Sequence, residues 1–323
     1  MALTKRIFVQ TSLVLAAGAG MGRAAQAQGV DQLQIFVPAA PGGGWDQTAR
    51  TIDAVLRANG QIKTSQVTNV PGAGGVVGLP QFLNQWRGRP NALMVGGMVM
   101  VGAIIANKAP VKLTNTVPIA RLTGEFEVLV VPLNSPFKTA GDFAAALKAD
   151  PAKVPVAGGS AGGTDHIMLG MIGKAVGVPA GKLSYVAFAG GGPAQAALLG
   201  GHVAAGISGF GEFSEQIKAG KLRALAISAD VRQAGIDIPT LREQGIDVDL
   251  FNWRGVFAPP GVTPAQRDAM IALMETMVKS EAWLAECKKR DWTSIPLFGD
   301  AYATYLEAET ARIEAILKDL GLA

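Results

Sequence analysis

One local design occurs twice in this chain and limits the folds open to it: an apolar strand, a glycine turn, and a helix that starts on the turn. The first copy runs Ile35-Phe36-Val37-Pro38-Ala39-Ala40-Pro41-Gly42-Gly43-Gly44-Trp45-Asp46. The second runs Val154-Pro155-Val156-Ala157-Gly158-Gly159-Ser160-Ala161-Gly162-Gly163-Thr164-Asp165-His166. Glycine lets such a turn take positive φ and lets the backbone come close to a ligand. The free N–H groups at the start of each following helix point back into the turn, where the helix dipole favours negative charge. Ser160 and Thr164 add hydroxyls, and Thr164 or Asp165 is placed to cap the second helix. The expectation is that the two turns face each other across a cleft and hold a carboxylate ligand between them.

The rest of the chain keeps the same rhythm. Strands are expected over 33–39, 63–70, 92–97, 117–122 and 128–132, then over 154–157, 183–188, 203–208, 222–228 and 250–258. Helical patterns lie between most of them. A third glycine turn, Pro71-Gly72-Ala73-Gly74-Gly75, ends the second strand. This order implies an α/β chain with a mostly parallel sheet and helices on both faces. Thr263 and Pro264 read as the cap and first residue of a late helix. In the last helix Tyr302, Tyr305, Leu306, Ile313, Ile316 and Leu317 recur at helical spacing and read as core. The crossings near 128–132 and 250–258 are candidate hinges. They divide the chain into a discontinuous domain, 28–126 with 252–323, and a second domain, 127–251.

With 323 residues there is length for two domains with real cores. Apolar residues make up 49% and charged residues 17%, which excludes a disordered chain. Residues 1–27 read as a signal peptide: basic Lys5-Arg6, an apolar run over 7–19, and a small-x-small site at Ala25-Gln26-Ala27. Cleavage is expected after Ala27, with export to the periplasm by the Sec route or, given Lys5-Arg6, the Tat route. Without that leader 26 basic and 25 acidic residues remain, so no nucleic-acid surface is indicated. The single cysteine, Cys287, reads as a packing residue. His166, His202 and Cys287 lack metal-ligand spacing, and no glycine turn carries a Walker lysine or a dinucleotide fingerprint. No metal and no cofactor are expected.

Two functional readings compete. Gly158-Gly159-Ser160-Ala161-Gly162 satisfies G-x-S-x-G between a strand and a helix, which suits a secreted serine hydrolase with Ser160 as nucleophile. That reading lacks a base: His166 is only six residues on and His202 lies mid-chain, whereas this class places its histidine after the last strand. The preferred reading is a binding protein, not an enzyme. Hydrogen bonds to a charged carboxylate contribute about 1.5–3 kcal/mol each. Four or five of them reach the roughly −8 kcal/mol of a micromolar complex. Arg254 either adds a charge to the cleft or makes a surface salt bridge near the hinge. Asp46 either stabilises the first turn of its helix or accepts a ligand hydroxyl. The candidate ligand-binding set is Pro41, Gly43, Gly44, Trp45, Asp46, Ser160, Gly162, Gly163, Thr164, Asp165, Gly191, Gly192 and Ser208. Because this loop is expected at the rim, removing the Thr164 hydroxyl is expected to spare fold stability.

Several of these stretches resemble one family. Residues Phe36 to Arg50 look like the first binding loop of the Bug-type solute receptors of tripartite tricarboxylate transporters. Asn69 to Gly75, Ala157 to His166, Tyr185 to Gly192, and Asn252-Trp253-Arg254-Gly255-Val256 resemble later signatures in the right order. Gly44-Trp45-Asp46-Gln47 is similar to the tricarboxylate branch, although Pro193-Ala194-Gln195 stands where that branch more often has an acid. The resemblance implies a type II periplasmic-binding-protein fold, two doubly wound α/β domains joined by a hinge. It implies a monomer that closes on a carboxylate, with citrate as first choice and a dicarboxylate next. The implied partners are the membrane subunits of a tripartite tricarboxylate transporter.

Overall fold

The computed structural model describes residues 31–323. The expected leader and its cleavage site lie outside them. The chain begins β1 (Gln32–Val37), α1 (Gly44–Ala58), β2 (Thr64–Asn69), α2 (Gly78–Gln85), β3 (Ala92–Gly97) and α3 (Met98–Ala106). A long strand, β4 (Val117–Pro132), leads into α4 (Ala140–Ala149), β5 (Val156–Gly158), α5 (Thr164–Ala175), β6 (Tyr185–Ala187) and α6 (Gly191–Leu199). Next come β7 (Ala205–Gly209), α7 (Phe210–Lys218) and β8 (Leu222–Ile227). The last elements are β9 (Phe251–Ala258), α8 (Pro264–Val278), α9 (Glu281–Lys289), β10 (Thr293–Phe298) and α10 (Gly299–Asp319).

Strand β4 organises the sheet, whose order is β2-β1-β3-β9-β4-β7-β5-β6, with β8 and β10 also paired to β4. Its first part, through Phe126, pairs with β9, and residues within that part also pair with β10. From Glu127 it pairs with β7, and from Val128 with β8. Two short strands were expected here, at 117–122 and 128–132. The chain instead keeps one strand through Thr123-Gly124-Glu125-Phe126-Glu127, and side chains two apart on a strand share a face. Glu125 and Glu127 are both buried, so what reads as a polar interruption is the buried centre of the sheet.

The sheet is mixed and not mostly parallel. Ladders β1–β2, β1–β3, β5–β6 and β5–β7 are parallel, as strand-helix-strand units require. Every ladder involving β4 or β9 is antiparallel, because these strands carry the chain between the two parts of the sheet. Strand β10 was not expected. It contains Pro296 and pairs with β4 across a register shift between Ser294 and Leu297, as proline at an irregular edge allows.

Local sequence explains the helix starts. Thr263 Oγ1 accepts the Gln266 amide at 3.3 Å while Gln266 Oε1 accepts the Thr263 amide at 2.9 Å, with Pro264 in the first turn. Thr139 and Asp142 make the same reciprocal pair at α4. On α10, Tyr302, Leu306, Ile313 and Leu317 are fully or almost fully buried, with the Tyr302 ring edge-on to Trp253. Each such side chain contributes about 1.5–3 kcal/mol by leaving water. Cys287 is buried in the same core.

Candidate ligand-binding cleft

Both glycine turns are tied by an aspartate from the helix they open. In the first, Gly42 has φ +86°, a conformation glycine tolerates best. The Gly42 amide donates to Asp46 Oδ2 at 2.9 Å. Asp46 also accepts from Arg50 Nε and Asn69 Nδ2, each at 2.9 Å. Burial raises the Asp46 carboxyl, but the bonds from Arg50, Gly42 and Asn69 outweigh it and hold it below its ordinary value. In the second turn Gly162 has φ +76°, and the Gly159 amide donates to Asp165 Oδ2 at 2.5 Å. Gly163 is the N-cap of α5 and no side chain caps it, so neither Thr164 nor Asp165 plays the expected capping role. Asp165 lies one residue inside the helix and reaches back over the turn. His166 Nδ1 accepts the Gly162 amide at 3.1 Å, and its ring stacks on Tyr185 with centroids 4.2 Å apart. Tyr185 donates to the Gly159 carbonyl at 2.7 Å.

The two turns face one cavity of about 630 Å³, its open mouth included. Of the candidate residues, Gly43, Gly44, Trp45, Ser160, Gly163, Thr164, Asp165, Gly191 and Ser208 line it. Four do not. Pro41 and Gly192 are exposed, Asp46 is spent on its own turn, and Gly162 turns its amide to His166. Gly162 also packs on α3: a Cβ there would lie 2.9 Å from the Gly102 carbonyl oxygen. The third glycine turn contributes Gly72 and Gly74, and a Cβ on Gly74 would sit 3.2 Å from Ser160 Cβ. That glycine signal was present in the sequence.

The larger surprise is charge. Glu212 of α7 with Asn252 and Arg254 of β9 line the cavity, and Glu125 and Glu127 of β4 lie behind them. Arg254 is 3% exposed, so the surface salt bridge considered for it is not what forms. It pairs with Glu125 and lies 3.5 Å from Glu212 Oε1. Asn252 Nδ2 donates to Glu127 Oε1 at 2.9 Å. Thr164 is fully buried and its hydroxyl donates to Asp165 Oδ1 at 3.1 Å. The Gly44 amide, expected to wait for ligand, donates to Glu212 Oε1 at 3.0 Å. Glu212 therefore reaches the start of α1 and fills an anion position with the protein's own carboxylate.

Four carboxyl groups around one guanidinium cannot all stay charged in a buried site. Burial, then the charges of Asp165 and Glu212, push Glu127 well above the ordinary carboxyl range. Burial also raises Asp165, against hydrogen bonds from the Gly159 amide, Thr164 and Glu127. Burial thus favours the neutral form at both Glu127 and Asp165. Burial and the Asp165 charge push Glu212 up to about 7, against the Gly44 amide and Ser208. Burial alone lowers Arg254 to about 9. The cluster therefore holds a Glu125–Arg254 ion pair, two carboxyls raised by burial in Glu127 and Asp165, and Glu212, pushed up to about 7, as the group that changes charge near neutral pH.

The serine-hydrolase reading finds no support in this geometry. No hydrogen bond joins Ser160 to a histidine among the described residues, and Nδ1 of His166 is already engaged.

Comparison with known proteins agrees with the fold and the cleft. The model of the "Tripartite tricarboxylate transporter family receptor" matches residues 50–322. Protein BugT of Bordetella pertussis is 26% identical over 327 residues, covering 99% of each chain. MatC of Rhodopseudomonas palustris, solved with bound malate, superposes with a TM-score of 0.78 at 23% identity, covering 88% of this chain and 98% of its own. An R. palustris protein solved with adipate gives a TM-score of 0.80 at 20% identity, covering 90% of this chain and 97% of its own. At such identities the two structures speak to the fold alone.

Proposed function

The chain belongs to the tripartite tricarboxylate transporter receptor family, and from that premise we propose that it captures a small carboxylate in the periplasm and delivers it to the membrane subunits of such a transporter. The family and its structural neighbours are solute-binding receptors. The observation that carries the reading is the cavity between the starts of α1 and α5, lined by Gly43, Gly44, Ser160, Gly163 and Thr164. In this proposal residues 28–126 with 252–323 form one domain of a monomer and 127–251 the other. The hinges are the β4 step between Phe126 and Glu127 and the entry to β9, where pairing changes partners. The mature chain begins at Gln28, which intact-mass measurement of the periplasmic protein tests.

The ligand carboxylate sits at the second turn. The first turn's Gly44 amide is held by Glu212 from outside the turn, whereas at the second turn the Gly159 amide goes to the turn's own Asp165 and Ser160 faces the cavity. Citrate remains a candidate by resemblance, but three charges beside Asp165, Glu212 and a single arginine favour a ligand of lower net charge. MatC and the R. palustris protein were solved with malate and adipate respectively, so dicarboxylates of both lengths belong in the test set. Titration calorimetry of the mature chain with citrate, malate, succinate and adipate tests the class. Absence of heat from all carboxylates, or stoichiometric labelling of Ser160 by a fluorophosphonate, would sink the reading.

A further inference from the structure

The second turn is clasped by two rings that do not line the cavity. Ser160, Gly163 and Thr164 line it, whereas His166 and Tyr185 do not. The Gly159 amide donates to Asp165, and the Gly159 carbonyl accepts from the Tyr185 hydroxyl at 2.7 Å. The Gly163 amide donates to the Ser160 carbonyl at 2.9 Å, which closes the turn on itself. Gly162, at φ +76°, gives its amide to His166 Nδ1 at 3.1 Å. The His166 and Tyr185 rings are nearly parallel, 10° apart, with centroids at 4.2 Å. Gly158 leaves room for this pair, since a Cβ there would lie 2.9 Å from Tyr185 Cε2. An amide N–H only donates, so Nδ1 carries a lone pair and the ring proton sits on Nε2. A ring protonated at both nitrogens has no acceptor to offer Gly162.

We propose that His166 is a positioning residue for ligand capture: its unprotonated Nδ1 anchors the Gly162 amide and keeps the second turn in the shape that receives the ligand, so that a proton on the ring releases the turn and weakens binding. The proposal rests on the receptor reading and adds to it a residue outside the cavity. Few titratable groups surround this ring. Asp165 precedes it on α5 and is spent on Gly159 and Thr164. Tyr185 on β6 is held neutral by burial, well above its ordinary value. Glu127 of β4 is close enough to Asp165 for their charges to interact. Helix α3, which packs on Gly162 through Gly102 and Ala106, carries no titratable side chain, and neither does β7. Lys108 follows α3 and is exposed. Burial lowers His166 below its ordinary value, so the neutral ring that the geometry demands is also the form that burial favours. A ligand carboxylate at the turn attracts a proton to the ring, but the ring can take it only by giving up Gly162. Two donors then face each other in a half-buried site, which costs more than a solvated charge pair gains.

The chain holds two histidines, His166 and His202, so isotope-labelled imidazole nitrogens can be assigned with a single variant. Nitrogen NMR of the purified chain without ligand should show His166 as the Nε2–H tautomer, with a protonation midpoint below its ordinary 6.5. An Nδ1–H tautomer, or a midpoint above 6.5, would overturn the proposal and leave the receptor reading intact. The binding arm is calorimetry with citrate, malate, succinate and adipate at about pH 7.5. His166→Leu, which fills space but accepts nothing, should weaken every acid that binds tenfold or more. His166→Asn, whose Oδ1 takes the place of Nδ1, should stay within about threefold of the unmodified protein. A role in packing alone predicts the reverse order, and that order would overturn the proposal. The Asn side chain does not titrate. The affinity of the unmodified protein relative to His166→Asn should therefore fall as pH drops through the midpoint read by NMR, and a constant ratio would overturn the coupling to protonation. Lack of binding by every acid in the set would overturn the receptor reading and this role with it.

Discussion

Replacing Arg254 by methionine keeps the bulk of the side chain and removes the only cation that pairs with Glu125 or Glu212 among the described residues. Both Arg254 and Glu125 are almost fully buried, so Glu125 cannot turn to water when its partner goes. Deleting one member of a buried ion pair costs about 3–5 kcal/mol, a large part of a typical folding free energy. The loss should depend on pH. Glu212 already titrates at about 7 in the folded protein, and losing a neighbouring positive charge raises a carboxyl further. A carboxyl whose folded value lies above its unfolded value of 4.5 stabilises the fold below that unfolded value. That contribution disappears as pH rises through the folded value. The deficit of Arg254→Met should therefore be small near pH 5 and approach its full size near pH 8. Urea unfolding of both proteins at the two pH values measures it. Equal deficits at both, or full stability of the variant at the higher pH, would refute the view that Arg254 neutralises this cluster.

Three further expectations are independent of that one. Thr164→Val removes the hydroxyl bonded to Asp165 and should cost about 1–3 kcal/mol of stability without any ligand, measured by urea unfolding; no loss would restore the rim position expected from sequence. Gly102→Ala places a Cβ against the Gly162 carbonyl carbon at 3.2 Å and against its oxygen more closely still, along the seam between α3 and the second turn. It should weaken carboxylate binding tenfold or more by calorimetry, and an unchanged affinity would mean that this seam does not close on ligand. The Cys287 thiol is buried and pushed up to about 12 by burial and the Glu286 charge, so Ellman's reagent should leave it unmodified until the protein unfolds.

The parts of this molecule that were legible in the sequence are the local ones. A strand, a glycine turn and a helix start within about a dozen residues, so composition alone places Gly43, Gly44, Ser160 and Thr164 near one another once the two units face. The two crossings were visible near 128–132 and 250–258 because the apolar pattern changes there. What stayed hidden is the acidic floor. Glu125 and Glu127 interrupt the apolar run of β4, and a pattern reading takes polarity inside a strand as its end. Glu212 stands in Gly211-Glu212-Phe213-Ser214-Glu215, which reads as the outer face of an ordinary amphipathic helix. Nothing local says that β4, α7 and β9 bring these groups to one arginine, since the meeting depends on pairings between residues 76 to 141 positions apart.

The two aspartates do the same work at both turns. Asp46 and Asp165 each follow a glycine turn by a few residues, and each was assigned to the ligand. Each accepts an amide from within its turn, from Gly42 and Gly159, and so sets the shape of the turn, while Asp165 also lines the cavity. The asymmetry between the two turns comes from outside them. Glu212 reaches the Gly44 amide at the first turn, and Thr164 with Glu127 surrounds Asp165 at the second. A design repeated in sequence thus yields two unlike ends: at one a carboxylate from a distant helix, Glu212, takes the Gly44 amide, and at the other the turn's own Asp165 takes the Gly159 amide beside Ser160.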